Sequence, residues 1–320
     1  MSQVINPAVP RAAKAPLGTR FARSFRKYWP YYALLLPAVA YFIIFCYGPM
    51  YGVQIAFKDF KIKKGFGGSP WANPWYKYFL QFFDSYYAWK IIRNTLVLSL
   101  YSLIVGFPIP IILALSMDEM RHPRLKKIVQ TITYAPNFIA VVVMCGMILN
   151  FTSQTGGLIN NMITKLGGEA IPFMYKENLF PHIYVWTGVW QGMGWSSVIY
   201  FAALSGLNPQ LLEAATLDGA SRVQKIWHVK LPTLLPTVII QLILSCGSIL
   251  NVGYEKVFLL QNDLNINTSE IISTYVYKRG MVDAQYSFST AVGLSQSIVS
   301  FVLVAIVNIV ARRVSETSLW

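Results

Sequence analysis

Residues 207–232 read LNPQLLEAATLDGASRVQKIWHVKLP, a mostly polar stretch between two long apolar runs, and they carry the clearest local signals in the chain. Asn208 is a good N-cap and Pro209 suits the first helical position. A helix is therefore predicted from Pro209 onward. Gly219 is a natural terminator for it, because glycine readily adopts the left-handed conformation that ends many helices.

A second short helix is expected directly after this turn. Ser221 and Gln224 have the spacing of a capping box, in which each residue satisfies a free backbone N–H of the first turn. The helix is predicted to end before Pro232, because proline removes a helical hydrogen bond and clashes with the preceding turn. The stretch should thus be a compact pair of short helices.

The sequence on either side of this stretch is apolar enough to cross a membrane repeatedly. Only 12% of the 320 residues are charged and 55% are apolar, whereas a soluble domain carries about 25% charge. A membrane-spanning helix needs roughly 20 apolar residues. We therefore predict an all-α integral membrane protein of about six transmembrane helices. The predicted spans are Tyr31–Phe57, Asn94–Ser116, Ile128–Phe151, His182–Leu207, Pro232–Gly253 and Tyr286–Ala311.

The distribution of basic residues predicts the orientation. An even number of spans places both termini on one side, and the first thirty residues carry six Lys and Arg but no acid. Positive flanks favour the cytoplasm. We therefore expect a basic cytoplasmic tail over 1–30, a transmembrane domain over 31–311 with a cytoplasmic loop at 207–231, and a cytoplasmic C-terminal tail over 312–320.

Smaller features refine this picture. Pro37 and Pro49 in the first span, and Pro108 and Pro110 in the second, predict kinked helices whose freed carbonyls are satisfied by neighbours. The segment 156–165 has apolar residues at helical spacing, which fits a short helix on the outer membrane surface.

The cysteines and histidines do not indicate a metal site. Three cysteines lie singly within apolar runs, and three histidines are scattered without the spacing of metal ligands. We expect no bound metal in this chain.

The spacing within 207–232 resembles the cytoplasmic EAA loop of binding-protein-dependent ABC importer permeases. The motif runs Glu-Ala-Ala, three residues, Gly, nine residues, Val, one residue, Leu-Pro. The family pattern has Ile in place of Val229, a difference of one methylene group. The residues that carry the resemblance, which are also the predicted ATPase-coupling residues, are Glu213, Ala214, Ala215, Asp218, Gly219, Val229, Leu231 and Pro232.

The resemblance implies a non-catalytic permease subunit in the bacterial cytoplasmic (inner) membrane. Its expected partners are a second, paralogous permease subunit, two cytoplasmic ATPase subunits, an extracytoplasmic solute-binding protein and membrane lipid. No GxxxxGK[ST] phosphate loop occurs in the sequence. We therefore expect no cofactor in this chain, with ATP and Mg²⁺ bound by the partner ATPase.

The resemblance extends to the carbohydrate-uptake branch, and within it to permeases for oligo- and polysaccharides. It rests on Asn94-Thr95-Leu96, on Gly157 with Asn160, and on 253–280. Basic residues predicted outside favour an anionic, alginate-like oligosaccharide. An acidic binding protein or anionic lipid headgroups would explain them equally well. These residues are Lys58, Lys61, Lys63, Lys64, Lys278 and Arg279.

Two groups of aromatic and polar residues are candidates for the solute path. Aromatic rings stack on sugar faces, and amides bond hydroxyl groups. The alternative is that the aromatics form interfacial belts or pack between helices, and that the polar groups are solvated at a loop. The candidates are Trp186, Trp190, Gln191 and Trp195 in the fourth span, and Asn251, Tyr254 and Glu255 at the outer end of the fifth.

Two other functions are compatible with parts of the sequence. An ion-coupled secondary transporter should show internal repeats and polar groups at the membrane midplane, and neither is clear. The two-helix unit, with Arg222, Lys225 and Lys230, also resembles a DNA-binding helix-turn-helix. Pro232 opens a span so soon after the second helix that no room is left for a major groove, so no nucleic-acid partner is expected.

Overall fold

The computed structural model describes residues 17–314, with side chains for Phe25 and for 27–313. Within that range the chain is helical, and its single β feature is an isolated bridge between Lys58 and Trp71. For most of the predicted N-terminal tail, 1–30, no side chains are described, and residues 315–320 lie outside the described range. The all-α prediction is confirmed for the described part.

Seventeen α-helices are assigned within the described residues. They are α1 (Leu17–Tyr41), α2 (Gly48–Met50), α3 (Gly65–Gly68), α4 (Lys77–Phe83), α5 (Ala88–Gly106), α6 (Pro108–Asp118), α7 (Pro123–Tyr134), α8 (Val141–Thr152), α9 (Leu158–Lys165), α10 (Phe180–Ser205), α11 (Pro209–Leu217), α12 (Arg222–Lys225), α13 (Leu231–Gly247), α14 (Tyr254–Leu260), α15 (Ile266–Ser269), α16 (Ile272–Tyr277) and α17 (Tyr286–Val314). Short 3-10 turns occupy Tyr51–Phe57, Ile62–Lys64, Ala135–Phe138 and Phe173–Tyr175, and π-helical turns occupy Phe42–Tyr47, Ile226–Lys230 and Lys278–Val282.

Four helical stretches in the described residues are long and apolar enough to cross a membrane. They are Lys27–Phe57, Ala88–Asp118, Arg222–Gly247 and Tyr286–Arg313. A bent helix pair, 123–152, makes a fifth if it is counted as one span. Helix α10 is not among them, but its 26 residues extend about 39 Å. The described residues therefore hold four or five candidate spans, and α10, which is long enough but less apolar, stands where the sequence predicts the fourth of about six.

The third predicted span, Ile128–Phe151, is not one helix. Pro123–Phe138 and Val141–Thr152 meet at 101°. Pro136 lacks the N–H that would continue α7, and the backbone at Ile139 is extended. The carbonyl of Ile139 accepts a hydrogen bond of 3.0 Å from Gln191 Nε2 on α10. A polar side chain from a neighbouring helix thus compensates for the break.

Most of the first predicted span, as far as Gln54, belongs to a separate compact unit. Helix α1 contains Pro30 and Pro37, and after Tyr41 the chain passes into a π-helical turn. The backbone is therefore irregular between Pro37 and Pro49, and the kinks predicted at these prolines stay a prediction.

In the second unit, 55–320, helix α10 packs against α5, α6, α7 and α13. Gly194 permits the close approach of α7, because a Cβ there would lie 2.0 Å from the carbonyl oxygen of Thr133. A buried apolar cluster surrounds the first half of α10 and includes Leu98, Met144, Phe180, Val185 and Val257. Helix α10 is thus the central support of this unit.

Candidate functional site

The first helix of the 207–232 stretch forms as the sequence predicts. Asn208 has an extended backbone, and its Oδ1 accepts a 3.0 Å hydrogen bond from the N–H of Gln210. Pro209 occupies the first turn of α11. Beyond the helix end, Gly219 has φ +73°, a conformation that side chains with a Cβ rarely adopt.

The second helix begins with the predicted capping box. Ser221 Oγ accepts from the N–H of Gln224 at 3.4 Å, and Gln224 Oε1 accepts from the N–H of Ser221 at 2.7 Å. Lys225 Nζ also donates to Thr216 Oγ1 at 2.8 Å. This last bond ties α12 to α11, so the two helices form one rigid piece.

The prediction that this second helix ends before Pro232 is wrong. Arg222–Gly247 is one continuous helical stretch, in which the π-helical turn Ile226–Lys230 joins α12 to α13. Pro232 lies directly after the π-helical turn, and this wider turn accommodates its missing N–H within the continuous stretch. The loop is therefore mechanically continuous with a membrane span.

Four of the eight predicted coupling residues line a small groove of about 250 Å³ between the two helices: Ala215, Asp218, Gly219 and Val229. Glu213 and Ala214 are exposed on α11, while Leu231 and Pro232 begin α13. Large apolar side chains are also exposed here, with Leu217 90% accessible. The others are Leu211, Val223 and Trp227. An exposed apolar surface on a rigid polar loop is typical of a protein-docking site.

A buried ion cluster fastens this piece to the end of α6. Lys230, 6% exposed, has its Nζ 2.6 Å from Asp118 Oδ2 and also pairs with Glu119. A cation at the C-terminal end of a helix is favoured by the helix dipole as well. Sequence reasoning missed this cluster, because Lys230 lies 112 residues from Asp118 and 111 residues from Glu119 in the sequence.

The second candidate site is a cavity of about 660 Å³. Its walls come from α5, α6, α10 and α13, and from the segment that follows α13. This volume is within the range of small-molecule sites. The cavity walls include α6 and α13, the two helices that the Lys230 cluster joins.

Three of the seven predicted path residues line this cavity: Gln191, Trp195 and Asn251. The amide nitrogen of Gln191 is engaged with Ile139, as described above. Asn251 Oδ1 accepts from Gln296 Nε2 at 3.2 Å. These three positions lie at the cavity, and their role in solute passage stays a prediction.

The other predicted path residues do not line the cavity. Trp186 donates through Nε1 to the hydroxyl of Tyr101 at 3.1 Å, and Trp190 is exposed. Tyr254 stacks on Phe258. These contacts agree with the packing alternative.

The fifth span is shorter than predicted, so Asn251 and Glu255 lie beyond it and not at its outer end. Helix α13 ends at Gly247, Asn251 lies in the following loop, and Glu255 is exposed on the separate helix α14. The loop carries Ser248, Asn251 and Gly253, whose polarity and flexibility end the helix early.

Lys256, which sequence reasoning did not select, lines the cavity and is 8% exposed. Its Nζ donates to the carbonyl of Tyr184 at 2.9 Å and lies 4.9 Å from the centroid of that ring. The available signal was a lysine directly before the apolar run Val257–Leu260. Ser99, also buried at the cavity wall, has no hydrogen-bond partner for Oγ in the described structure.

The six basic residues predicted on the outer side of the membrane fall into two groups: three that are held by contacts within the chain and three that are exposed. Lys58 is buried, donates to the carbonyl of Phe66 at 2.5 Å and lies over the Trp71 ring. Lys278 pairs with Glu270, and Arg279 pairs with Asp283. The remaining three, Lys61, Lys63 and Lys64, are exposed.

Near Lys61, Lys63 and Lys64 in the sequence, Asp59 forms a small polar cluster. Tyr78 donates its hydroxyl to Asp59 Oδ1 at 2.5 Å, and Lys77 Nζ lies 3.0 Å from the same oxygen. The Tyr78 hydrogen bond and then the Lys77 ammonium lower the pKa of the Asp59 carboxyl from its usual value.

Several apolar spans, a rigid loop continuous with one of them and a cavity between the helices define a membrane transport permease. The chain belongs to the family described as the binding-protein-dependent transport system inner membrane component, which matches residues 106–316. It is therefore a multi-pass inner-membrane protein, and such a permease subunit is itself non-catalytic.

Relatives and solved structures agree with this assignment. The polygalacturonan/rhamnogalacturonan transport system permease protein YteP of Bacillus subtilis (strain 168) is 39% identical over 289 residues, 90% of this chain and 89% of YteP. A crystal structure of a bacterial ABC transporter involved in the import of the acidic polysaccharide alginate matches with TM-score 0.85 and 37% identity, covering 92% of this chain and 99% of the other. A second structure, of a bacterial alginate ABC transporter in complex with an alginate pentasaccharide-bound periplasmic protein, also has TM-score 0.85 and 37% identity, with coverage of 94% and 100%.

Proposed function

We propose that this chain is one permease subunit of an ATP-driven importer of acidic oligosaccharides. The observation that carries the substrate class is that relatives of 39% and 37% identity are named for galacturonans and for alginate. Both kinds of polymer consist largely of sugar acids. The cavity beside α10 would hold part of the solute during passage.

Coupling to ATP hydrolysis is assigned to the 207–232 piece, which we name the coupling piece. Its exposed apolar residues would dock into a cytoplasmic ATPase, and the groove with Asp218 and Gly219 would accept part of that partner. The continuous helix Arg222–Gly247 and the Lys230 cluster then transmit movement to α13 and α6. ATP and Mg²⁺ belong to the partner ATPase.

The assembly we propose contains a second, paralogous permease subunit, two ATPase subunits and an extracytoplasmic solute-binding protein. A permease of this family lies in a complex with a loaded periplasmic protein in the alginate system. Exposed Lys61, Lys63 and Lys64 provide a basic surface that such a binding protein could contact. The continuous helix also argues against DNA binding, since α12 leads directly into an apolar span.

Both termini are proposed to lie in the cytoplasm, on the same side as the coupling piece. The support is the acid-free basic tail and the even number of spans that the sequence predicts. Cysteine labelling in intact cells tests this topology: a cysteine added at either end should react only after permeabilisation. Labelling from outside would reverse the orientation.

The test of the whole proposal is purification of the tagged chain with its bound subunits, identified by mass, followed by reconstitution in proteoliposomes. Loaded binding protein should stimulate ATP hydrolysis and drive uptake of oligogalacturonate. Uptake that follows an ion gradient without ATP would instead favour a secondary transporter. Stimulation by neutral glucans alone would retain the importer and reject the acidic substrate.

A further inference from the structure

The position of Lys256 suggests a binding role that the coupling mechanism does not use. Its side chain is more than nine-tenths buried, yet it lines a cavity large enough for a solute. Of its three ammonium donors, one reaches the carbonyl of Tyr184. The ring of the same residue lies beneath the cation.

No carboxylate lies within 4.0 Å of Lys256 Nζ among the described residues, whereas Lys230 has two. The neighbouring acid, Glu255, is exposed. Burying a cation without an anion is costly, and such charges are normally paired. The charge that compensates Lys256 is therefore expected to come from outside this chain.

The surroundings leave space for that anion. At Gly188 on the facing helix, a Cβ would lie 3.3 Å from Lys256 Nζ, so the absence of a side chain keeps the ammonium accessible from the cavity. Ser99 lines the same cavity from α5, but its hydroxyl oxygen is itself buried and does not face that space. An ammonium that is accessible from the cavity suits a carboxylate, to which it can donate a charge-assisted hydrogen bond.

We infer that Lys256 binds the carboxylate of a sugar acid within the cavity and thereby selects acidic over neutral oligosaccharides during passage. This inference rests on the proposed function and adds the residue that recognises the negative charge of the solute. A carboxylate of the second permease subunit and a phosphate of membrane lipid are the competing anions, and the experiment separates them.

The experiment uses the full reconstituted importer with three variants of this chain. Lys256→Met removes the charge at similar volume, Lys256→Arg keeps it, and Lys165→Met removes an exposed charge at the end of α9 as the matched control. Tetragalacturonate and its methyl ester, which has the same backbone without the charge, are the probes. ATP-driven uptake and equilibrium dialysis against the solubilised complex are both measured.

For Lys256→Met, we expect binding and uptake of tetragalacturonate to fall about tenfold or more, the order of one charge-assisted hydrogen bond. The methyl ester should change little, so the charge preference is lost. Lys256→Arg should keep much of that preference, and Lys165→Met should keep all of it.

Three results overturn the inference in different ways. An unchanged preference in Lys256→Met shows that another group reads the charge. Loss of the second permease subunit from purified Lys256→Met complexes identifies an interface ion pair, and loss of co-purifying phospholipid identifies a lipid site. If the unmodified importer takes up neither probe, the proposed substrate class fails, irrespective of Lys256.

Discussion

Lys230 and Lys256 are both buried lysines, but their surroundings differ completely. Lys230 lies between two carboxylates at the end of α6, whereas Lys256 faces a cavity and contacts a carbonyl and an aromatic ring. A charge paired within the protein connects two structural elements. A charge left unpaired at a cavity is available for something that enters it.

Lys58 shows why burial alone does not identify a binding site. It too is buried and is held by a carbonyl and an indole ring. It is not among the residues that line the cavity beside α10. The functional difference between buried lysines therefore depends on what they face.

The largest effect is expected at Gly219, the turn of the coupling piece. Lys230 belongs to the same piece. Gly219→Val places a β-branched side chain at φ +73°, a conformation in which such residues are strained. The turn should rearrange and uncouple the ATPase. We expect ATP-driven uptake to fall to background while membrane insertion is normal.

The matched control is Gly219→Asn, because asparagine tolerates the left-handed conformation better than other residues. It should retain most of the uptake. Normal uptake by Gly219→Val in an assembled complex would remove the coupling role from this turn.

Local and distant features of this chain differ in how far the sequence predicts them. Asn208, Ser221 with Gln224, and Gly219 act through bonds to residues two or three positions away, so their roles could be deduced directly. The family resemblance rests on the same local spacing. The outline of the fold follows from the apolar runs.

What the sequence could not predict depends on contacts between distant segments. Lys230 is 112 residues from Asp118, and Lys256 meets Tyr184 across 72 residues. The bend near Ile139 interrupts a run that composition alone presents as one span. Its stabilising partner, Gln191, is known only from the packing.

The second prediction tests the paired lysine. Lys230→Met leaves Asp118 and Glu119 without their cation at a helix C-terminus. Removing one partner of a fully buried pair costs about 3–5 kcal/mol. Because these carboxylates are about a quarter exposed, we expect a smaller loss of about 2 kcal/mol in unfolding free energy.

Thermal unfolding of the purified complex measures that loss. A triple variant that adds Asp118→Asn and Glu119→Gln should recover stability, since no buried charge remains, but not the coupling of ATP hydrolysis to uptake. Full recovery of coupling in the triple variant would reduce the cluster to a stabilising contact.

The third prediction concerns Lys256, the unpaired lysine, whose replacement should change the unfolding free energy far less than that of Lys230. Lys256→Met relieves the burial of a cation but loses a hydrogen bond and a cation–π contact, and these effects oppose each other. We expect the unloaded complex to change by less than about 1 kcal/mol in unfolding free energy. A loss as large as that of Lys230→Met, measured in the same thermal assay, would show that Lys256 has a structural anion and would end the contrast.

The smallest effect is expected at Asp59, which forms an ion pair with Lys77 in the loop after the first span. This solvent-accessible pair is the reference against which the buried lysines are compared. The Asp59 side chain is 35% exposed and pairs with the 47% exposed Lys77. Asp59→Asn should therefore lower the unfolding free energy by about 0.5 kcal/mol at pH 7. Because the folded protein lowers the pKa of this carboxyl, its contribution is present above the unfolded value of about 3.9 and disappears as the pH falls through the folded value. Unfolding midpoints of the two proteins, measured from pH 7 downward, should accordingly converge in acid; a gap that widens there would mean that Asp59 acts through something other than its charge.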